Sequence, residues 1–335
     1  LIYIEIPHFH SKSKYLADWN KARLSFGHLL ALFVLLTGSA WAALINGQPF
    51  FMADTSAYVR GPDFAVVYFL GNKFATSWTQ DRTLQKNGDI AHGSSASPTT
   101  NDSVLNSPFD KAVLAGRSIF YGALLYAGHV ADHFWLSISV QAAIFLYLCY
   151  TFVIKCLRFS FAAYFWTTIA VLIATPASFY ISFLMPDVFA SFLILGVIIL
   201  AEFWDSLPSR DQILVFAIVL YSELTHATYL LLLVCLASTF LCLRFVAGKG
   251  AIKSGSTLKR IGLLFALVLT GIAGALSFTF GTELILHADP IRPPYVTARL
   301  IADGPGYRFL QENCATKSYM VCKYVSRLPK PSDTF

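Results

Sequence analysis

The sequence predicts an all-α polytopic membrane protein of about seven transmembrane helices, with a long first extracytoplasmic loop bearing interfacial helices. Three observations carry that reading. Of 335 residues, 56% are hydrophobic and only 13% charged, about half the charged share of a water-soluble domain. The apolar residues are bunched into blocks close to the roughly 20 residues that a helix needs to cross the hydrocarbon core. The Lys and Arg fall mainly in short segments beside those blocks, as the positive-inside rule distributes them. The formal charge of +6 therefore reports topology, and no nucleic-acid partner is expected.

Lys12, Lys14, Lys21 and Arg23 precede the first apolar block, 25–46, which puts residues 1–24 in the cytoplasm and makes 25–46 the first transmembrane helix. The opening is polar and aromatic, with no Ala-x-Ala-like cleavage site after the block, so this helix is expected to stay as an anchor. An extracytoplasmic loop follows, 47–133, far beyond the roughly 12 to 15 residues at which a structureless connection becomes unusual. Its middle, 87–107, is rich in Gly, Ser, Thr and Asn and reads as a flexible stretch. Its flanks, 62–70 and 112–127, are apolar but too short to span, and suit helices lying along the interface.

A helical bundle, 134–283, comes next. A second span, 134–154, closes on Lys155 and Arg158, and a third, 160–175, stops at Pro176, which has no amide to donate. A fourth, 188–204, returns to the inside, leaving an outer turn that contains Pro186 and Asp187. The run 213–245 would form a single helix of roughly 50 Å at 1.5 Å per residue, against a bilayer core near 30 Å. Two helices are expected instead, with a bend near 222–226 that brings Glu223 and His226 to the outer surface. Arg244, Lys249, Lys253, Lys259 and Arg260 form the strongest basic cluster of the chain and mark a cytoplasmic connection. A last span, 261–280, delivers an extracytoplasmic tail, 284–335. The absence of an initiator Met and the plain Ser-Asp-Thr-Phe ending are compatible with a longer natural chain.

Of six cysteines, Cys149, Cys156, Cys235 and Cys242 lie in or beside apolar blocks, where Cys behaves as a small hydrophobe. Cys314 and Cys322 flank a polar stretch of the tail with no His or further Cys at zinc-site spacing. A disulfide formed in an oxidising compartment is expected there, the alternative being two free thiols.

The chemistry-bearing residues gather beside the loop and the tail. Asp54 follows the first span by a few residues, at the membrane-water boundary. There an ionised carboxylate suits a general base or a metal ligand, although Asp-Thr-Ser is equally good helix-capping chemistry. Arg60, Arg117, Arg292 and Arg299 stand where an arginine can hold a phosphate oxygen pair bidentately, or simply snorkel beside headgroups. Asp187 follows Pro186 at a helix start, where capping and a site role both fit. His129, Asp132 and His133 match no firm metal pattern, and no metal site is assigned. In the tail, Pro290, Pro293, Pro294 and Pro305 are expected to keep the backbone extended or turning, with one short helical turn at 296–301. That segment would close over a lipid-phosphate site, or serve as a linker. Asn101-Asp102-Ser103 is an N-glycosylation pattern that matters only in a eukaryotic secretory route.

The order of these features resembles the GT-C superfamily of membrane glycosyltransferases. The shared outline is a first span, an acid just outside it in an Asp-x-x-x-Tyr context (Asp54, Tyr58), a long outer loop with interfacial helices, and many further spans. Gly116-Arg117-Ser118-Ile119-Phe120-Tyr121 is similar to a Gly-Arg-x-Pro-x-Tyr stretch at the end of that loop in some members, with Ile119 in the place of the proline. Met185-Pro186-Asp187 matches the position of a second acid in many of them. The resemblance covers roughly the first 200 residues. It implies Asp54 and Asp187 as catalytic acids, with Tyr58, Arg60, Arg117, Tyr121, Arg292 and Arg299 around the substrate. It also implies a polyprenyl-phosphate-linked sugar donor, a glycan, lipid or protein acceptor on the outer face, transfer that often inverts the anomeric centre, and room for a divalent cation. The location expected with this outline is a bacterial inner (plasma) membrane. A transporter, lipid-flipping or scaffold subunit working with membrane-complex partners is the competing class. It would place Asp54 against water or another chain instead of an arginine and a second acid.

Overall fold

The computed structural model describes residues 26–52, 54–71, 73, 117–246, 255–286 and 295–328. The basic residues before the first span, the 87–107 stretch with Asn101, Gly116 and Arg292 lie outside these residues. In chain order the helices are α1 (Phe26–Ser39), α2 (Trp41–Asn46), α3 (Thr55–Leu70), α4 (Ile119–Asp132), α5 (Trp135–Tyr150), α6 (Phe161–Ala174) and α7 (Ala177–Ser182). They continue as α8 (Val188–Phe203), α9 (Ser209–Thr225), α10 (Thr228–Val246), α11 (Gly255–Leu286), α12 (Tyr295–Ala302) and α13 (Pro305–Asn313). Among the described residues there is no β-strand, only an isolated bridge between Phe50 and Phe183. Among the described residues four helical stretches are long and apolar enough to cross a membrane: Trp135–Cys156, Val188–Ser206, Thr228–Val246 and Thr257–Leu284. The chain is an all-α integral membrane protein.

Two compact units divide it, Leu1–Phe50 with Ile138–Phe183, and Phe51–Ser137 with Leu184–Phe335. In the first unit the expected single helix 25–46 is broken. Thr37 Oγ1 donates to the carbonyls of Phe33 and Val34, and Ser39 Oγ to that of Leu35. Such back-bonding competes with the regular ladder, and the helix jogs at Ala40 (φ −109°, ψ 15°) before restarting as α2. With 14 residues, α1 reaches roughly 21 Å, short of a bilayer core. Leu35, Leu146, Ile154 and Tyr164 form the core of this unit. Its polar groups are satisfied across the helices: Ser178 Oγ donates to Gly38 O at 3.2 Å, and Gln141 Nε2 to Ile181 O at 2.7 Å. α6 occupies the place expected of the third span, with Ser160 capping its start at the Ala163 amide and Thr175 ending it before Pro176.

The second unit contains the remaining elements. Helices do form in both apolar flanks of the 47–133 segment, but at shifted positions. α3 begins seven residues before the expected Pro62 and carries that proline inside it, while α4 starts only at Ile119, after the cap residue Ser118. The long apolar run does bend as expected. α9 ends at Thr225, His226 is extended (φ −151°, ψ 137°), and α10 begins at Thr228. One consequence expected of the bend does not hold. Helix α9 continues through Glu223, which is 3% exposed and faces Gly271 of α11, so it does not reach water. At the far end of α8, Glu202 pairs with Arg244 at 2.6 Å and Asp205 with Arg260 at 2.8 Å. In the tail α12 appears as expected, whereas Pro305, expected in turning backbone, starts helix α13 at its first position, where a missing amide costs nothing. Cys314 and Cys322 are joined by a disulfide with Cα atoms 5.5 Å apart.

The disulfide closes a loop with a sequence separation of 8, for which chain-entropy arguments give about 2.5 kcal/mol. Reduction, or Cys314→Ser, is expected to raise amide hydrogen exchange across 310–327 by a corresponding amount and to leave α8 to α11 unchanged. Unaltered exchange in the tail would show that the bond restrains nothing.

Candidate functional site

The site is assembled at helix starts. Thr55 opens α3: its hydroxyl accepts from the Met52 amide at 2.9 Å and donates to the Leu184 carbonyl at 3.1 Å. This ties the start of α3 to the segment that enters α8. Asp54 occupies the N-cap position, yet its side chain makes no capping hydrogen bond. Its Oδ1 instead receives Arg117 Nη2 at 2.6 Å, so the capping role expected as the alternative for Asp54 does not apply. Asp187 likewise stands at the N-cap of α8 without a side-chain capping bond, and it is exposed.

Arg117 is held from the other direction. Ser118 has extended backbone, accepts from the Phe120 amide, and donates to the Leu224 carbonyl at the end of α9. Arg117 is thereby fixed one residue before the helix. Its side chain is only 19% exposed, against 41% for Asp54, so solvent screens the pair from one side alone. The guanidinium lies 5.5 Å over the Tyr58 ring, a cation–π distance. Tyr58 is one turn beyond Asp54 and shares its face of α3. Its ring meets that of Tyr121 edge-on at 5.3 Å, and Tyr121 meets Phe189 of α8 at 5.8 Å. The approach of α3 to α4 is closest at Gly122, where a Cβ would collide with the Tyr58 carbonyl oxygen.

Burial pushes the Tyr58 phenol up to about 12; Arg117 opposes this, and the charges of Asp54 and Asp187 add to it. The phenol is therefore a neutral donor at any physiological pH. His226, between α9 and α10, is held below its ordinary value first by burial. Asp187 and Asp54 pull the other way, and Arg117 reinforces burial. Its Nδ1 lies 2.8 Å from Thr228 Oγ1 and accepts from the Thr228 amide, so in the neutral ring the proton sits on Nε2. Tyr229, the next residue but two, donates to the Pro186 carbonyl at 3.0 Å and ties the start of α10 to the Asp187 turn.

Five of the residues expected at a site, Asp54, Tyr58, Arg117, Tyr121 and Asp187, thus lie within contact or electrostatic reach of one another. His226 joins them; as an ionisable group between two apolar helices it stood out in the sequence, but was expected only to reach water at the bend. Arg60 is exposed on α3. Arg299 is exposed on α12 and engages Asp303 at 2.8 Å, one turn along its own helix. His129 stacks on Phe134 at 4.9 Å. Among the described residues no three of His, Cys, Asp and Glu come together as a metal site.

No family model, curated protein or solved structure matches this chain. Its chemistry must be read from the site alone. Four helices, α3, α4, α8 and α10, begin around this place, and the positive pole of each start favours anions. An arginine, a neutral imidazole and two carboxylates released from capping complete it. The arrangement can hold a phosphate and take up a proton beside it.

Gly122→Val is expected to force α3 and α4 apart at a cost of about 1–3 kcal/mol, typical of overpacking, and to loosen the Asp54–Arg117 pair. Thermal unfolding in detergent measures this. A variant as stable as the parent would show that the two helices do not cross this closely.

Proposed function

We propose that this chain is a membrane glycosyltransferase of the GT-C kind, moving a sugar from a polyprenyl-phosphate carrier to an acceptor on the extracytoplasmic face. The observation that supports it most is the pairing of Asp54 with Arg117 beside Asp187, three residues drawn from separate stretches of the chain. In this reading the donor's phosphate competes with Asp54 for the Arg117 guanidinium, which can grip two oxygens at once. Displaced from its partner, the Asp54 carboxylate accepts the proton of the acceptor hydroxyl. The acceptor oxygen bonds to the anomeric carbon as the bond from that carbon to the phosphate oxygen breaks. The polyprenyl phosphate leaves with its charge facing Arg117 and the helix starts. Asp187 orients sugar or acceptor hydroxyls. Because Oδ1 of Asp54 is taken by an arginine, the base role suits it better than the role of metal ligand.

Topology supports the same reading. Seven crossings result if α1 with α2, α6 and α9 traverse the membrane in addition to the four long helices. With residues 1–24 inside, that path leaves the starts of α3, α4, α8 and α10 all on the outer side. It returns the Arg244–Glu202 and Arg260–Asp205 pairs to the inner one. The two ends of α8 are about 15 residues apart, roughly 22 Å, so acid site and basic cluster fall on opposite faces. A bacterial inner membrane supplies both the carrier and the acceptors that this orientation requires.

Asp54→Asn is expected to lower transfer from a polyprenyl-phosphate sugar by on the order of 10² to 10⁴, the usual worth of a general base, with folding intact. Asp187→Asn should lower it less, and Arg117→Lys should weaken donor binding most. Unchanged transfer in Asp54→Asn, with the parent active, would remove the base from this proposal.

A further inference from the structure

A second feature of the same unit concerns a group that the transfer chemistry does not use. Glu223 is 3% exposed, and neither of its carboxylate oxygens has a hydrogen-bond partner among the described residues. Buried polar groups are almost always paired, and an ionisable group at membrane depth is costly enough to call for a functional reason. Glu223 is not there for want of space. Gly271 of α11 lies directly against it, and a Cβ on that residue would overlap the carboxylate. The absent side chain makes the room that the carboxylate fills.

Glu223 belongs to the lining of a cavity of about 120 Å³, together with the apolar Phe120, Leu230 and Phe278 and the polar Arg117 and His226. The volume is several times what one water needs, and the lining is more apolar than polar. An amphiphile fits better: an apolar body, an anionic group at Arg117 and His226, and a hydrogen-bond donor against Glu223. The donor that satisfies two carboxylate oxygens and neutralises their charge in low dielectric is a primary ammonium, with three N–H groups. A hydroxyl would supply one bond and leave the second oxygen unsatisfied.

We propose that this cavity binds the headgroup of a zwitterionic phospholipid carrying a primary ammonium, as in phosphatidylethanolamine, with the ammonium on Glu223 and the phosphate toward Arg117 and His226. The site shares Arg117 with the transferase reading but does not rest on it, since no transfer step is involved.

The test measures binding of short-chain phospholipids to the purified full chain in detergent, by native mass spectrometry. Phosphatidylethanolamine is compared with phosphatidylcholine, whose quaternary nitrogen has no N–H, and with phosphatidylglycerol, which has no nitrogen. Phosphatidylethanolamine is expected to bind on the order of tenfold more tightly than either, the worth of a charge-assisted hydrogen bond. Glu223→Gln should erase that preference without changing the binding of phosphatidylglycerol. Equal affinities for the three headgroups in the parent would overturn the proposal, whatever the variant does. So would a preference that survives in Glu223→Gln. Octylammonium bound through Glu223 without any phosphatidylethanolamine preference would show an amine site only, and would overturn the phospholipid assignment.

Discussion

Everything proposed for the outer face depends on one ion pair, Asp54 with Arg117. Each partner sits where its own helix has not yet begun, and neither is held by that helix. Asp54 is placed by the hydroxyl of Thr55 reaching the Leu184 carbonyl, Arg117 by the hydroxyl of Ser118 reaching Leu224. The pair therefore registers four elements against one another: α3, α4, the entry to α8 and the exit of α9. At partial burial the net stabilisation from such a pair is modest, and its main effect is positional. It orients a carboxylate without spending it on a cap.

The packing that permits this is small-residue packing. Helices in lipid gain little from the hydrophobic effect between them, so close approach of backbones replaces it. Gly122 brings α4 onto the Tyr58 carbonyl, and Gly271 brings α11 onto Glu223. Both glycines lie within one turn or so of a charged or aromatic group of the site region. The buried aromatic column Tyr58, Tyr121, Phe189, with edge-on contacts between successive rings, packs α3, α4 and α8 together beside the ion pair. Asp187 is exposed and His226 half-buried, so both meet solvent.

Much of this was legible in the sequence because membrane segments obey simple rules of length and charge. The segments expected at 134–154, 160–175 and 188–204 and the bend inside 213–245 lie within a few residues of the observed helices, although the helix at 160–175 is not among the four of spanning length; the disulfide pairs the two cysteines whose surroundings set them apart. Asp54 and Asp187 were singled out by their positions beside apolar blocks, and Arg117, inside the apolar flank 112–127, by the motif resemblance. What was not legible depended on tertiary hydrogen bonds. Thr37 and Ser39 bond back to carbonyls of their own turn just before the first helix jogs at Ala40, a local geometry that composition does not record. The capping alternative for Asp54 and Asp187 was weighed on local pattern and lost to Arg117 in one case and to solvent in the other. His226 and Glu223 were placed together at a bend, yet a single further residue of each helix sends one to the site and the other into the bundle.

The contrast between those two residues follows from where a helix stops. A residue at the terminus can turn its side chain to its own next amide, as His226 does with Thr228, and so satisfies one nitrogen locally while presenting the other. Glu223 lies two residues before the end of α9, where the backbone ladder already occupies the neighbouring amides and no donor remains for a carboxylate. A polar group in that position has three outcomes in lipid: to be replaced by an apolar residue, to be neutralised by a proton, or to be satisfied from outside the chain. Replacement by leucine or alanine would fill the same helix face without any polar cost, and Gly271 would then be unnecessary for clearance. The coexistence of an orphaned carboxylate with a glycine that accommodates it, beside a cavity large enough for a headgroup, is what a site held for an external donor requires.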